Sequence, residues 1–337
     1  MDKYQPYLEI DMNIVDNNIK LLAKDKKPCL MVKANQYHVL SNVKPLLDLG
    51  YDFFGVSTLE ELETIHNLNQ EVDVLVVTRV DVNTINNSNN KYTHYTITDI
   101  DDLKEVNNNV NIHLKFDTGM GRIGFTSSQV MEVINIIKIR NLNIKGIYTH
   151  FPCGSDKEYT IKQIKRFKEI VDTFTENDIH PTYIHCQNSI GCSLYDISWC
   201  NMVRPGIGIW GYGANKLEAS LTNVKPSLTL KAPVSFIKEY HGLIGYDHIE
   251  SVDGIIGTIK LGYNDGLDRR ASGYQFKEGK IVGKVCMCQT MIKLASKDVR
   301  EVTIFEQDDI YDLCNYIDYT VYELLTSLSF RIKRIIK

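Results

Sequence analysis

The sequence predicts an α/β fold in which a (β/α)8 barrel of the TIM type is followed by a mostly β C-terminal domain. Eight short segments rich in β-branched and aromatic residues alternate with helical patterns through the first two thirds of the chain, as in such a barrel. After Pro226 the helical patterns give way to alternating and apolar runs separated by Gly, Asp and Lys, which indicates a β domain. An open, doubly wound sheet is the alternative for the N-terminal part.

The predicted strands of the barrel lie at residues 28–33, 53–56, 72–78, 95–98, 112–116, 144–148, 182–185 and 202–204. Between them, Thr58 and Glu61 have the spacing of a capping box, and residues 159–174 have an amphipathic helical pattern. The C-terminal strands are predicted at 227–237, 255–261, 280–285, 291–294 and 302–305. We therefore divide the chain into a barrel domain, residues 1–225, and a β domain, residues 226–337, with residues 1–9 able to join the β domain instead.

Composition limits the partners of this protein. The net charge of -4 is small and no basic stretch is interleaved with aromatic residues, so neither nucleic acid nor a membrane surface is expected. No run approaches the ~18 apolar residues that span a bilayer, and no signal-peptide pattern opens the chain. The eight cysteines form no C-x-x-C pair, which indicates a reduced, cytoplasmic protein without a metal site. A small-molecule partner is the expectation.

Lys33 ends the first predicted strand, directly after an apolar run. A buried ammonium group is unfavourable and readily loses its proton, and a neutral lysine amine can form a Schiff base with an aldehyde. A solvated lysine at a strand end is the alternative, since the long side chain can extend to water. The residues at the other strand ends favour chemistry.

Polar side chains follow the other predicted strands in the same way. With Tyr37, which follows Lys33, these strand-end residues are Lys115, Arg122, His150, His185, Asn188, Ser189, Arg204, Gly206 and Ile207. Each one alone has an ordinary structural explanation, but chemistry in a barrel lies at the C-terminal ends of the strands, so one rim would gather all of them. The backbone N–H groups of Gly206 and Ile207, with the hydroxyls of Ser189 and Tyr37, predict a phosphate cradle.

Motifs in order along nearly the whole chain resemble those of the bacterial alanine racemases. The most specific is the run Asp117-Thr118-Gly119-Met120-Gly121-Arg122 after Lys115; the others are Val32-Lys33-Ala34-Asn35, Thr149-His150-Phe151, Asn188-Ser189, Val203-Arg204-Pro205-Gly206-Ile207, Gly245-Tyr246, Gly262-Tyr263-Asn264-Asp265-Gly266 and Val285-Cys286-Met287. The resemblance implies a pyridoxal 5'-phosphate (PLP) enzyme that interconverts L- and D-alanine and supplies D-alanine for cell-wall peptidoglycan. It also implies a homodimer whose sites are shared between subunits.

The resemblance implies a role for each matching residue. Lys33 holds the cofactor through a Schiff base, and Tyr246, contributed by the partner subunit, is the second catalytic residue on the opposite face. Arg204 meets the cofactor's ring nitrogen, and the cofactor-binding set is completed by Tyr37, His150, His185, Asn188, Ser189, Gly206 and Ile207. The substrate-binding residues are Arg122, Met287, Lys115 and Tyr263. Of these, Arg122 holds the carboxylate with help from the Met287 N–H, and Lys115, carbamylated in some members, braces the arginine.

Racemisation needs two acid/base groups on opposite faces of the α-carbon, because a proton leaves one face and another returns to the other. Lys33 and Tyr246 would form that pair. A phenol is a weak base at neutral pH, so Tyr246 needs cationic neighbours, which His150 and Arg204 are expected to supply. An arginine keeps its proton, so the ring nitrogen opposite Arg204 stays unprotonated and the cofactor is a weaker electron sink.

The sequence departs from the family pattern around the pocket. Members commonly continue the first motif as Ala-Tyr-Gly-His-Gly, whereas Tyr37 here has the neighbours Gln36, His38, Val39 and Leu40. Cys288 stands where an aspartate usually follows the methionine, and Phe330 where many members have a tyrosine near the cofactor phosphate. Loss of an acid and a hydroxyl could widen or neutralise the entrance. Alanine as the substrate is therefore the default of the family and not a conclusion from these residues.

Other functions remain open at this point. A serine or broader-specificity racemase of the same family is the nearest alternative. A non-catalytic PLP-binding homologue would share the barrel but usually lacks the second domain. A PLP barrel decarboxylase needs different contacts, since an arginine clamp such as Arg122 opposes loss of CO2. Cys286 and Cys288 share one face of a predicted strand without further ligands, which favours core packing over metal binding.

Overall fold

A computed structural model describes residues 2–248 and 250–337, and its N-terminal part is a barrel of parallel strands. Counting from β1 (Tyr7–Ile10), which belongs to a second sheet, the barrel strands are β2 (Lys27–Pro28), β3 (Leu30–Met31), β4 (Phe53–Val56), β5 (Asp73–Arg79), β6 (Thr93–Ile97), β7 (Asn111–Lys115), β8 (Ile144–Tyr148), β9 (Tyr183–His185) and β10 (Met202–Val203). β2 and β3 are two halves of one strand: β2 pairs with β10 and β3 with β4, which closes the ring. The predicted eight-stranded barrel is confirmed.

Helices surround this ring. They are α1 (Met12–Ala23), α3 (Lys44–Asp48), α4 (Leu59–Leu68), α5 (Val82–Asn86), α6 (Ile100–Glu105), α7 (Val130–Arg140), α8 (Lys157–Glu176), α9 (Ser189–Leu194) and α10 (Lys216–Ser220). The short segment α2 (Lys33–Tyr37) contains left-handed backbone and is not a regular helix. The predicted capping box begins α4: Thr58 Oγ1 accepts from the Glu61 N–H at 3.2 Å, and the Glu61 carboxylate accepts from the Thr58 N–H. The predicted amphipathic segment is α8, which buries Phe167 and Phe174 against the barrel.

The second sheet has seven strands: β1, β11 (Leu228–Ile244), β12 (Glu250–Ile259), β13 (Gly279–Ile281), β14 (Thr290–Leu294), β15 (Glu301–Glu306) and β16 (Lys333–Ile336). β11 spans 17 residues, pairing first with β1 and β15 and then with β12. An irregularity in register between Val234 and Phe236 marks the change of partner. The domain boundary at 225/226 stays a prediction.

The C-terminal part also contains two helices that the sequence analysis did not predict, α11 (Asp309–Ile317) and α12 (Val321–Ser327). α11 buries Ile310, Leu313, Cys314 and Ile317. These residues have helical spacing, so the apolar pattern of this segment does predict an amphipathic helix. The predicted mostly β character is nevertheless confirmed. Within residues 2–248 and 250–337, no helix is both long and apolar enough to cross a membrane.

Gly211 tests how tightly the chain is packed where it leaves the barrel. Its φ is +90°, and a Cβ there would lie 1.9 Å from the Lys225 carbonyl oxygen. Gly211→Ala should lower the free energy of unfolding by about 3 kcal/mol, because backbone strain and a clash with backbone add together. The control is Gly50→Ala, where φ is +89° but nothing lies within 4 Å; it should lose about 1 kcal/mol. Urea unfolding measures both, and equal losses would show that the clash is relieved.

Candidate active site

The C-terminal ends of the barrel strands surround a cavity of about 310 Å³. Ten of the residues that the sequence analysis selected line it: Lys33, Tyr37, Lys115, Arg122, His150, Asn188, Ser189, Arg204, Gly206 and Ile207. His185 lies directly behind the cavity wall, hydrogen-bonded to Arg204. The strand-end residues are therefore brought together on one rim, as the barrel topology predicts.

Lys33 is followed by a turn of left-handed backbone. Residues 34–38 have φ values of +51°, +47°, +57°, +57° and +57°, although none of them is glycine. Such a conformation costs roughly 1–2 kcal/mol per non-glycine residue, so surrounding contacts must stabilise it. The turn buries the Tyr37 side chain in the cavity wall while leaving Lys33 at its entry.

Contacts from both domains hold this turn. The Glu61 carboxylate accepts from the Asn35 N–H at 3.1 Å. On the other side, the Arg334 guanidinium donates to the His38 carbonyl at 2.6 Å, and the His38 ring contacts the Leu328 carbonyl at 3.0 Å. The C-terminal segment thus supplies hydrogen bonds to His38, which stands where the family motif commonly has a glycine.

The contacts of the C-terminal segment with His38 form a clamp on the turn. Phe330 belongs to this clamp and does not line the cavity. Its ring lies 4.9 Å from the His38 ring and 5.0 Å from the Arg334 guanidinium. From the same C-terminal segment, Tyr322 does line the cavity, and its ring centre is 6.0 Å from that of Tyr37. Phe330 therefore does not line this cavity, and its correspondence to a tyrosine of the family stays a prediction.

Ser189 and Gly206 form a polar cradle at the base of the cavity. Ser189 Oγ accepts from the N–H groups of Gly206 at 2.9 Å and Gly208 at 3.1 Å. A Cβ on Gly206 would lie 2.4 Å from the Tyr37 hydroxyl, so only glycine leaves room for that hydroxyl in the cradle. Asn188 stands beside the cradle and caps α9 by accepting from the Gly191 N–H. Converging hydroxyl and N–H groups of this kind suit an oxyanion.

Arg204 is fixed on three sides although it is almost fully buried. Its guanidinium donates to His185 Nδ1 at 2.7 Å and to the Thr149 carbonyl at 2.6 Å, and it lies 4.9 Å from the centre of the Tyr148 ring. Burial and the Arg204 charge hold the pKa of His185 well below its ordinary value. His185 is therefore neutral and can accept the hydrogen bond.

Positive charge accumulates in the cavity. Among the described residues that line it, Lys33, Lys115, Arg122 and Arg204 are cations and Glu218 is the one carboxylate. Burial and then Arg122 lower the pKa of Lys33, and the same two causes, with Arg204, lower the pKa of Lys115 to about 8. The cavity is thus suited to anionic guests, and its amines are neutral more often than surface lysines.

The loop that carries Arg122 is organised by Asp117. The Asp117 carboxylate accepts from the N–H groups of Gly119 at 2.9 Å, Gly121 at 3.0 Å and Arg122 at 3.0 Å. Burial alone would raise the Asp117 pKa, but these hydrogen bonds together outweigh burial and lower the pKa. A Cβ on Gly124 would lie 2.8 Å from the Lys115 carbonyl oxygen, so the loop folds back tightly on β7 and directs Arg122 to the cavity.

Three residues selected from the sequence lie outside this cavity. The side chains of Tyr246, Tyr263 and Met287 belong to the second domain and are 65%, 42% and 57% exposed. Tyr246 begins a 3₁₀ turn, Tyr246–His248, that is held by an ion pair between Asp247 and Lys284. Within a single chain, these three side chains are not brought to Lys33.

Among the described residues, no group of three or more His, Cys, Asp or Glu side chains could hold a metal ion.

Two family models match the chain: "Alanine racemase, N-terminal domain" over residues 10–214 and "Alanine racemase, C-terminal domain" over residues 227–336. The alanine racemase of Fusobacterium nucleatum is 31% identical, with 98% of this chain and 99% of that protein covered. The alanine racemase of Staphylococcus saprophyticus is 30% identical, with 99% and 96% covered.

Solved structures agree with these matches. The alanine racemase of E. faecalis is 26% identical with a TM-score of 0.87, and 99% of this chain and 98% of that one are covered. The alanine racemase of Bacillus anthracis with bound L-Ala-P, 24% identical, shares the fold with a TM-score of 0.89 over 100% and 96% of the two chains. The resemblance found in the sequence is confirmed: the chain belongs to the alanine racemase family and is an enzyme of the racemase class.

Proposed function

We propose that this protein uses PLP to interconvert L- and D-alanine. The observation that carries the proposal is the single cavity in which the Lys33 amine lies with Arg204 and with the cradle of Tyr37, Ser189 and Gly206. The lowered pKa of Lys33, caused by burial and Arg122, favours the neutral amine that covalent attachment of an aldehyde requires. When bound, the cofactor supplies an electron-withdrawing ring that acidifies the α-proton of an attached amino acid.

The residues of the cavity fit PLP. Glycine at position 206 leaves room for the Tyr37 hydroxyl, which a Cβ would meet at 2.4 Å. A phosphate beside this cradle could accept from the N–H groups of Gly206 and Ile207 and from the hydroxyls of Ser189 and Tyr37. Arg204 would face the ring nitrogen with His185 behind it, and His150 and Asn188 would complete the wall. The excess of cations in the cavity would be balanced by the phosphate and by a substrate carboxylate.

Arg122 is the residue we assign to the substrate carboxylate. It reaches the cavity from the Asp117 loop, close enough to Lys33 and Lys115 to lower the pKa of both. Because the pKa of Lys115 is lowered to about 8, part of this amine is neutral and able to react with CO2. The resulting carbamate would be an anion beside Arg122 and would brace it, as in some family members.

Lys33 and Tyr246 are the two bases of the proposal. Lys33 would exchange a proton on one face of the α-carbon and Tyr246 on the other. Burial and Arg204 hold the pKa of His150 well below its ordinary value, so His150 is neutral. The cationic neighbours that a phenolate at Tyr246 requires would then be arginines such as Arg204, and not His150 as the sequence analysis expected.

A dimer would bring Tyr246 to the cavity. Because Tyr246, Tyr263 and Met287 are exposed and lie outside their own chain's cavity, we propose that each site takes these residues from the partner subunit. The Met287 N–H and the Tyr263 side chain would then meet the substrate. We further propose, from the family, that the reaction takes place in the cytoplasm and supplies D-alanine for the cell wall.

A serine or broader-specificity racemase is the second candidate, and Cys288 favours it. Arg331 reaches the Cys288 sulfur at 3.6 Å and Asp265 at 3.6 Å, so a thiol takes the place of the usual acid in this charged group. With one carboxylate fewer, this charged group would restrict the entrance less and could admit the hydroxymethyl group of serine.

The function is tested by incubating the full-length protein with PLP and single L-amino acids and resolving the enantiomers. L-alanine should racemise fastest. Faster conversion of L-serine would favour the second candidate, and absence of any conversion would favour a non-catalytic homologue.

Lys33→Ala should abolish conversion in both directions, by more than ~10⁴-fold, because the attachment point and one base are lost together. The control Lys104→Ala, at a lysine 54% exposed on the surface, should be fully active. Borohydride should fix the cofactor on Lys33, and labelling of another lysine would contradict the assignment.

The shared site is tested by mixing inactive variants. If Lys33 and Tyr246 of one site come from different chains, a mixed dimer of Lys33→Ala and Tyr246→Phe chains has one intact site. After subunit exchange, about a quarter of all sites should be active, whereas either variant alone stays inactive. Absence of recovery, with exchange proven by mass-labelled subunits, would put both residues in the same chain.

The direction served by each base is tested by deuterium exchange. Tyr246→Phe should slow exchange of the α-proton of L-alanine with deuterated solvent by about 10²- to 10⁴-fold, because Tyr246 is expected to act on the L-enantiomer. Exchange from D-alanine should persist through Lys33. NMR of the α-position follows both enantiomers, and equal, small losses for the two would leave Tyr246 without a role as base.

A further inference from the structure

A chain of three buried histidines runs from Arg204 through the interior of the barrel. His185 Nε2 lies 2.9 Å from His113 Nδ1, His113 Nε2 lies 3.2 Å from His94 Nδ1, and His94 Nε2 lies 3.1 Å from an Asp73 carboxylate oxygen. The residues His94, His113 and His185 are 3%, 0% and 0% exposed, whereas the Asp73 side chain is 29% exposed. Because Asp73 begins β5, the chain connects the active-site rim with the opposite end of the barrel.

The hydrogens of this chain can point in one direction only. A guanidinium donates and never accepts, so His185 Nδ1 accepts from Arg204 and the His185 hydrogen lies on Nε2. A neutral imidazole has one donor and one acceptor nitrogen. His185 Nε2 therefore donates to His113 Nδ1, and His113 Nε2 in turn donates to His94 Nδ1. The last hydrogen points to a carboxylate, which only accepts. An obligatory donor and an obligatory acceptor therefore impose the same polarity from both ends.

The barrel is built around this chain. β8 lies between the strands of His113 and His185, and a Cβ on Gly146 of β8 would lie 2.2 Å from His113 Nδ1. Glycine at this position therefore leaves the space through which the two rings meet. Aromatic rings enclose the histidines: Tyr148 stacks on His185 at 4.8 Å, and Tyr183 stacks on His113 at 5.8 Å.

Packing alone does not explain these residues. The interior of such barrels is ordinarily filled by branched aliphatic side chains, which need no partners. Buried imidazoles are unfavourable unless every polar atom is paired, and here each ring nitrogen has one partner. Such a connected set strengthens each bond and restricts the position of its members.

We propose that Asp73, His94 and His113 are positioning residues of the enzyme: through His185 they hold the Arg204 guanidinium in the orientation in which it meets the cofactor's ring nitrogen. The role at the ring nitrogen rests on the proposed function. The row of hydrogen bonds from Asp73 through His94, His113 and His185 to Arg204, which we call the relay, does not rest on it. All of these bonds form within one polypeptide before any cofactor binds.

The relay is tested by His94→Leu, which leaves the His113 N–H without an acceptor, and by His94→Asn, whose side-chain oxygen can stand in for Nδ1. Tyr183→Phe is the matched control, since it keeps the ring that stacks on His113. Asp73→Leu interrupts the relay at its partly exposed end and serves if His94→Leu does not fold. Racemisation in His94→Leu should show a kcat lowered about tenfold with KM unchanged, and His94→Asn should recover most of it.

A second readout uses the full-length, cofactor-free protein labelled with ¹⁵N in histidine and arginine. The wild-type signals of His113 and His185 should show a hydrogen on Nε2 and none on Nδ1, and the buried guanidinium of Arg204 should give sharp proton signals. In His94→Leu or Asp73→Leu the histidine signals should move and those of Arg204 broaden, while Tyr183→Phe changes neither. Unchanged signals and unchanged kcat in a folded relay variant would overturn the proposal. An inactive wild type with intact relay signals would instead overturn the proposed function.

Discussion

The burial of the Arg204 charge is the constraint on which the site depends. Arg204 is 4% exposed and its guanidinium keeps its proton, so its surroundings must provide acceptors or the fold would lose stability. The Thr149 carbonyl and His185 Nδ1 provide them. Because His185 can accept only while it is neutral, its remaining hydrogen must in turn be accepted by His113. One charge at the rim thus dictates the polarity of side chains deep in the barrel.

A second constraint is the strained backbone that follows Lys33. Five left-handed residues in succession are unfavourable, and the hydrogen bonds that hold them come partly from Arg334, almost 300 positions away in sequence. The turn after Lys33 and the C-terminal segment are therefore one structural unit. The clamp also explains how the chain tolerates the loss of glycines around Tyr37: His38 gains Phe330 and Arg334 as partners where glycines would have needed none.

The sequence was sufficient for features that depend on local patterns. Strand ends and the topology of a barrel predicted that Lys33, His150 and Arg204 share a rim, and periodicity located the long helix α8. Features that depend on contacts between distant residues were missed. His94 and His113 look like ordinary strand residues until the fold aligns them, and Tyr322 could be told from Phe330 only by which ring enters the cavity.

Burial separates the residues of the site into two groups. Arg204, His185 and Ser189 are almost fully buried and share hydrogen bonds with one another or with the adjoining backbone, so a change at one disturbs the others. Tyr246 and Met287 are exposed on the second domain. In the proposed dimer these exposed residues, with Cys288 beside them, would cover the open side of the partner's cavity. Substitutions there would alter the space offered to the substrate side chain while leaving the bonds of Arg204 intact. If the proposed function holds, the departure from the family pattern at Cys288 would therefore bear on which amino acid is accepted, whereas the buried residues would determine the chemistry performed on it.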